Sequence, residues 1–294
     1  MMTFEAIMTK QFLITIGDDP KALFGAKFVG EFFRSTTDIR LDLLYIAPRF
    51  ESGEMGKDIR LHDISLGLSK IYSRMGEDAL ALGSDILRDA GFSQKKINCK
   101  VMHRMQSTVK DIVEYAKLGH YQTVVLGRRS FSIFEKSFSE SVTNEIMGLH
   151  IRFPIWICKD PEKGRRNVLL CVDGSDASLR IADHVAFILD SEEDHDVTLL
   201  HVSREESGDP EIVLQQVRQR LTDRIPEERV TCLVLRNRAP SDAILKEADK
   251  GKFAAVAVGR LGLSEKKRTS GDYIGSTPIK LLNRIRGAAL WITW

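Results

Sequence analysis

The stretch AVAVGRLGLSEKKRTSGDYIGS, residues Ala255–Ser276, is the most informative part of this sequence. Its first four residues form an apolar run that predicts a buried strand, and Gly259 ends that run. Gly262 and a basic loop follow, and Gly275–Pro278 then predicts the start of a helix with Thr277 as its N-cap. A glycine loop that leads from a strand to a helix N-terminus is typical of phosphate sites. The stretch therefore predicts an anion-binding loop in an α/β protein.

Length and composition indicate a globular protein. The chain has 294 residues, 43% of them hydrophobic and 29% charged, and a formal net charge of +2. This length predicts two domains. Acidic and basic residues are interspersed, so we expect no nucleic-acid partner. No apolar run is long enough to span a bilayer and the N-terminus does not resemble a signal peptide, so we expect a cytoplasmic protein without membrane contact.

The four cysteines argue against metal and disulfide chemistry. Cys99, Cys158, Cys171 and Cys232 are far apart, and each lies in a strand-like run. No CxxC pair is present, which argues against zinc and thioredoxin-like sites. We expect four buried, reduced thiols.

Apolar runs alternate with amphipathic helical patterns along the chain, which predicts parallel sheets with helices on both faces. The predicted strands are residues 11–17, 41–47, 97–103, 123–127, 154–158, 167–172, 197–202, 230–235, 253–258 and 289–294. The polar segment Lys159–Arg166 predicts a linker. We therefore predict two domains, 1–160 and 165–294, each a five-stranded parallel sheet of flavodoxin-like order flanked by helices. In that order the first and fourth strands are neighbours, so Asp173 and Gly259 would face one crevice.

The two halves repeat each other. Gly127 corresponds to Gly259 at an offset of 132 residues, and Gly119 corresponds to Gly251 at the same offset. Both closing strands are apolar and contain a tryptophan, and either of them would be an aggregation hazard as an open sheet edge. We therefore predict that these strands pair antiparallel in an intrachain pseudo-dimer, with Trp156 and Trp291 near the interface. A homodimer of the whole chain is a further expectation.

One long helix carries an apolar face in the first half. Its members recur at helical spacing, and they are Ile64, Leu68, Ile71, Met75, Ala79, Leu82 and Ile86. We interpret this face as core surface rather than a partner site.

Each half resembles a universal stress protein domain, and the chain resembles the tandem members of that family. In the second half the resemblance rests on Val172–Ser175 with Ser178, on Leu199–Val202 and on Val258–Gly259. Nucleotide-binding members of the family carry Gly-x2-Gly-x9-Gly-(Ser/Thr). Here Gly259 and Gly262 fit this motif, and the final Gly-Ser pair follows after twelve residues instead of nine.

The resemblance implies an adenine nucleotide, ATP or AMP with Mg²⁺ as a possible companion. Asp173 would accept a hydrogen bond from the adenine amino group, and Val202 would pack against the base. The residues implied around the phosphates are Gly259, Arg260, Gly262, Gly275, Ser276 and Thr277. The basic run Lys266–Arg268 would add charge nearby, although such runs are more often solvated loop faces.

In the first half, the positions that correspond to the glycine motif and to Asp173 carry other residue types. Ser130 and Glu140 stand where glycines are expected, and Gly17 stands where the second half has Asp173. A carboxylate repels phosphate, so we expect the first half to keep the fold without a nucleotide.

Regulation is favoured over catalysis. No Walker loop, dinucleotide fingerprint or histidine pair at metal spacing is present, and no general base is evident beside the glycine loop. The favoured function is a stress-response protein whose nucleotide state controls an unknown protein partner. A slow ATPase or related hydrolase, and a nucleotide-free scaffold, stay open. Two purely structural interpretations also stay open. Asp173 could be a turn residue that caps a helix, and His201 a packed core histidine.

Overall fold

The computed structural model describes residues 9–50, 59–127, 151, 153–203, 209–262 and 274–293. Contacts divide the chain into two units, Met1–Gly30 with Thr36–Ser137, and Glu31–Ser35 with Phe138–Trp294. The helix predicted near residues 139–150 lies outside the described residues. The domain boundaries predicted from the repeat stay a prediction.

The first unit contains a parallel sheet with helices. Its strands are β1 (Lys10–Ile16), β2 (Ile39–Ala47), β3 (Ile97–His103) and β4 (Thr123–Gly127), in the order β3-β2-β1-β4. A 3₁₀ turn, Pro20–Leu23, leads into α1 (Phe24–Phe32), and the other helices are α2 (Ile59–Asp89) and α3 (Thr108–Leu118).

The second unit repeats this plan and adds one antiparallel strand. Its strands are β5 (Ile155–Cys158), β6 (Val168–Val172), β7 (Val197–Ser203), β8 (Val230–Arg236), β9 (Ala255–Gly259) and β10 (Ala289–Thr293). Their order is β5-β10-β9-β6-β7-β8, and only the β5–β10 pair is antiparallel. Its helices are α4 (Asp176–Leu189), α5 (Pro210–Thr222), α6 (Pro240–Lys250) and α7 (Ser276–Arg284).

The predicted strand neighbours are confirmed. The first strand of each half, β1 or β6, pairs in parallel with the fourth, β4 or β9. The chain therefore has the α/β fold expected from its pattern, and the carboxyl ends of β6 and β9 lie side by side.

The ends of α3 and α6 share one arrangement. Gly119 and Gly251 are the C-caps, and each is followed by a residue with positive φ, His120 at 53° and Lys252 at 50°. His120 N donates to Lys117 O at 3.3 Å and Tyr121 N donates to Ala116 O at 3.4 Å, which are the two bonds of a Schellman helix end. The correspondence at an offset of 132 therefore extends to backbone geometry.

The predicted pairing of the closing strands is confirmed. Trp156 of β5 lies opposite Trp291 of β10. Their rings stack with centroids 4.1 Å apart and an angle of 6° between planes, and both side chains are fully buried. The indole N–H of Trp156 donates to His184 Nε2 at 3.0 Å, which gives this buried donor its partner.

Residues 31–35 belong to the second unit because polar groups hold them there. The buried carboxylate of Glu192 accepts from Arg34 N at 2.9 Å and from Ser35 N at 3.1 Å. His195 Nε2 lies 2.7 Å from Phe32 O, and its ring stacks on the Phe32 ring. These contacts satisfy backbone groups that burial would otherwise leave without water.

The interpretation of the apolar face of α2 as core surface is correct for Ala79, which is buried, and wrong for most of the face. Ile64, Ile71 and Leu82 are more than half exposed. The buried face instead carries small residues, because the helix approaches its sheet closely. A Cβ added at Gly76 would lie 2.5 Å from the Tyr45 ring, and one added at Gly83 would lie 3.1 Å from Ile16.

The expectation of four buried cysteines is half right. Cys158 and Cys171 are buried, whereas Cys99 and Cys232 are exposed. The exposed pair lies on β3 and β8, which end the strand order in their units, so less of the molecule covers them. Among the described residues, no helix has the length and apolar composition that a bilayer crossing demands.

Candidate functional site

A cavity of about 230 Å³ lies at the carboxyl ends of β6, β7 and β9 in the second unit. It is lined by six of the eight predicted site residues, which are Asp173, Val202, Gly259, Gly262, Ser276 and Thr277. This position is the one at which open α/β sheets bind ligands.

Asp173 begins the turn between β6 and α4. Its Oδ1 accepts a hydrogen bond from Ser175 N at 3.0 Å, which confirms the interpretation of Asp173 as a turn residue. Its other oxygen faces the glycine loop, because a Cβ added at Gly262 would lie 2.8 Å from Asp173 Oδ2. Only glycine fits beside the carboxylate in this geometry.

Ser175 connects the helix start to the glycine loop. As N-cap of α4, its hydroxyl accepts from Ser178 N at 3.2 Å and donates to Leu261 O, also at 3.2 Å. The capping role follows from the Asp-Gly-Ser turn, but no sequence signal indicated the contact with Leu261. This one hydroxyl therefore fixes the loop after β9 against the start of α4.

Gly259 allows close packing inside the protein. A Cβ at this position would lie 2.7 Å from the carbonyl carbon of Ala177 and 2.9 Å from Ser178 N. Gly127 has the same surroundings in the first unit, where an added Cβ would lie 2.8 Å from the carbonyl carbon of Ala22. The contact between strand end and helix thus requires glycine in both units, independently of a ligand.

The N-cap of α7 lies two residues before the predicted one. Gly275 is the N-cap and Ser276 the first helical residue, so Thr277 lies inside the first turn and its assignment as N-cap is wrong. The physical reason is that Ile279 N already bonds Gly275 O at 3.2 Å, which starts the helical ladder two residues earlier.

The other two predicted site residues, Arg260 and Gly275, are outside the cavity lining. Their backbones hold the loop ends together. Gly275 N donates to Arg260 O at 2.8 Å, and Arg260 N donates to Thr293 O at 3.0 Å. The predicted phosphate-side residues Lys266–Arg268, and the first-half replacements Ser130 and Glu140, lie outside the described residues.

His201 is a packed core histidine, as the structural interpretation of the sequence predicted, and it also lines the cavity. Its Nδ1 lies 2.9 Å from Val172 O. A carbonyl only accepts, so Nδ1 carries the proton. Sequence reasoning missed the apolar wall, formed by Leu200, Pro240, Ile244, Val258 and Pro278.

The arrangement suits a ligand with three kinds of surface. The carboxylate of Asp173 accepts hydrogen bonds, the apolar wall suits a flat ring, and the N-terminal end of α7 lies at the cavity, where the helix dipole favours an anion. Over the described ranges, no group of three or more His, Cys, Asp and Glu residues is placed to hold a metal ion.

Comparison with known proteins identifies relatives of this fold. Residues 164–287 match the model of the universal stress protein family. A universal stress protein from Archaeoglobus fulgidus DSM 4304 is similar in structure over 98% of this chain and 97% of its own, at 17% identity and a TM-score of 0.65. A putative universal stress protein from Pseudomonas aeruginosa UCBPP-PA14 matches over 98% and 94%, at 14% identity and a TM-score of 0.53.

A third structure is a universal stress protein in complex with cAMP. It covers 44% of this chain and 95% of its own at 22% identity, with a TM-score of 0.35 that is too low to bear on what this chain binds. The comparison with curated proteins found no match.

Proposed function

Since residues 164–287 match the model of the universal stress protein family, we propose that this chain is a stress-response regulatory protein that binds an adenine nucleotide, ATP or AMP. The nucleotide occupies the cavity at the ends of β6, β7 and β9, accompanied by Mg²⁺ when it is ATP. Its occupancy controls the affinity for a protein partner.

The observation that carries this proposal is the placement of opposite chemistries in the lining of one cavity. Asp173 and the first turn of α7, with Ser276 and Thr277, both line this cavity. An adenine amino group is a donor that suits the carboxylate, and phosphate is an anion that suits a helix N-terminus. Val202, on β7, lines the same cavity and packs against the base.

Two substitutions of Asp173 separate its ligand role from its turn role. In Asp173→Asn, the amide oxygen can still accept from Ser175 N, whereas Asp173→Ala loses that bond as well. Both variants should lose roughly 1.5–3 kcal/mol of adenine-nucleotide binding, the range for a hydrogen bond to a charged acceptor. Only the alanine variant should also lose unfolding free energy, about 1 kcal/mol.

The direct test is mass spectrometry of ligand released by denaturing freshly purified protein, followed by titration calorimetry with ATP and AMP. Unchanged affinity in Asp173→Asn would reduce this residue to a turn former. Failure of both nucleotides to bind the wild-type chain would favour the interaction scaffold, and turnover of ATP that Asp173→Ala abolishes would favour the hydrolase.

We further propose that the chain is a tandem protein, with domains at residues 1–160 and 165–294, and that the first is a structural partner without nucleotide. Gly17 supports this, because it follows β1 where Asp173 follows β6 and offers no carboxylate to a base.

A further inference from the structure

The loop that follows β9 is held by hydrogen bonds at successive residues as it reaches the cavity. Arg260 is held through its backbone, because its N–H donates to Thr293 O at 3.0 Å and its carbonyl accepts from Gly275 N at 2.8 Å. The carbonyl of Leu261 then accepts from the hydroxyl of Ser175 at 3.2 Å. This last bond is made by a side chain, so a single substitution can remove it.

The bond to Leu261 brings the loop to the carboxylate of Asp173. Gly262 comes next in the chain, and a Cβ added there would lie 2.8 Å from Asp173 Oδ2. The other carboxylate oxygen, Oδ1, accepts from Ser175 N at 3.0 Å. Two adjacent loop residues thus meet two residues of one turn, since Leu261 bonds Ser175 and Gly262 lies beside Asp173. Because all four line the cavity, a shift of the loop would change the surroundings of the carboxylate.

The hydroxyl of Ser175 has two roles that can be separated. Its oxygen accepts from Ser178 N at 3.2 Å and so caps α4, and it donates to Leu261 O, because a carbonyl only accepts. Ser175 is 3% exposed, so water has little access to compete for either bond. The cap stabilises the helix, whereas the donated bond positions the loop.

We propose that Ser175 is a positioning residue of the candidate nucleotide site, and that it acts on affinity through Leu261 and Gly262 rather than through the cap of α4. A binding loop that is held in place before the ligand arrives avoids the entropy cost of ordering on binding. Without the donated bond, the ligand must supply that cost. The inference rests on the proposed function, since the ligand whose affinity Ser175 sets is the adenine nucleotide.

Substitutions of Ser175 in the full chain separate the two roles. Glycine is an acceptable N-cap and alanine a poor one, and neither side chain can donate to Leu261 O. Ser175→Ala should therefore lower the urea midpoint more than Ser175→Gly, whereas both should weaken ATP roughly tenfold in titration calorimetry, as for one lost hydrogen bond. Ser175→Thr keeps the hydroxyl and should restore binding. Ser107→Ala removes the corresponding cap of α3 in the first unit, and it should lower the midpoint without changing ATP affinity.

A double-substitution cycle tests the route through the loop. Gly262→Ala disturbs the same approach of the loop to Asp173, so its effect should overlap with that of Ser175→Gly. The double variant should bind ATP about tenfold more weakly than the wild type, whereas independent effects would multiply to about 100-fold. Multiplication of the two losses, or losses of affinity that follow the urea midpoints of the Ser175 variants, would overturn the proposal.

Hydrogen exchange of the free protein, followed by mass spectrometry, distinguishes a failed inference from a failed function. In Ser175→Gly, the backbone amides of residues 259–262 should exchange faster than in the wild type, because the loop is no longer held by the hydroxyl. Unchanged exchange, or faster exchange with unchanged ATP affinity, would overturn the positioning role while the nucleotide function stands. Failure of the wild type to bind ATP and AMP would instead refute the proposed function and with it any role of Ser175 in affinity.

Discussion

At the scale of single residues, Gly259, which ends β9, and Gly262, which follows it, are required for different structural reasons. Gly259 lies against Ala177 and Ser178 at the start of α4, where the obstructing atoms belong largely to backbone. Gly262 lies against one side-chain oxygen of Asp173. The glycine motif therefore combines two roles. Gly259 allows close packing of β9 on α4, and Gly262 leaves room for the carboxylate of the candidate site.

Alanine at these two positions should separate stability from binding. Gly259→Ala should lower the unfolding free energy by about 1–3 kcal/mol, the usual cost of overpacking, because backbone cannot move aside cheaply. Gly262→Ala should change stability by less than about 1 kcal/mol and weaken ATP about tenfold, because it displaces the carboxylate that we assign to the base. Urea unfolding and calorimetry measure the two effects, and equal stability losses would contradict the distinction.

At the scale of elements, α2 shows how helix glycines differ by position. A Cβ at Gly67 would meet no atom within 4 Å, whereas one at Gly76 would meet the Tyr45 ring. Both residues are helical, so alanine has the same intrinsic advantage at each of them.

This pair makes a matched stability test. Gly67→Ala should raise the unfolding free energy by about 0.5–1 kcal/mol, the propensity difference between glycine and alanine. Gly76→Ala should lower it by about 1–3 kcal/mol, because the helix must move away from β2. Denaturant unfolding followed by circular dichroism gives both values. Stabilisation by both substitutions would mean that α2 does not pack against Tyr45.

At the scale of the whole molecule, stability should depend on pH through His184. Burial lowers the pKa of this histidine to about 3, and its Nε2 already accepts the Trp156 N–H. The unfolded chain takes up the proton near the ordinary histidine pKa of about 6.5, whereas the folded chain does not. Below that pH the unfolded state binds more protons, so stability falls as the pH falls.

We expect the free energy of unfolding to fall by about 1.5 kcal/mol between about pH 6.5 and pH 5. Above about pH 7, His184 should add no further stability. His184→Gln should remove this part of the slope, and carboxylates still ionised in that range contribute little to the difference. Unfolding curves of both proteins across the range measure it. Parallel pH profiles would show that His184 is not buried in its neutral form.

Nucleotide stoichiometry is the second property of the whole chain. We expect one adenine nucleotide per chain, because the residue directly after the first strand is Asp173 in the second half and Gly17 in the first. Titration calorimetry gives the ratio of nucleotide to chain when the protein concentration is measured independently. Two equivalent sites would refute the assignment of the first half as a non-binding domain.

Local signals explain what was predictable. The bounds of β3 and β4 follow from apolar periodicity, which acts over only a few residues. The pairing of β5 with β10 was also predictable, because an apolar edge strand must be covered.

Other features depend on fit between distant residues. Two faces of α2 are apolar, and which of them is buried depends on how closely Gly76 and Gly83 approach the sheet. The N-cap of α7 is Gly275 rather than Thr277, and the bond from Gly275 N to Arg260 O holds this cap against the end of β9. Neither of these contacts has a signature in the local sequence.

The sequence by itself determined the α/β class, the order of strands, the internal correspondence and six residues that line one cavity, because periodicity and turn chemistry act locally. Only the tertiary structure decided which face of α2 meets the core and that the hydroxyl of Ser175 reaches the carbonyl of Leu261, 86 residues away. Such contacts depend on the packed distance between elements, and that distance is set by all the side chains between them.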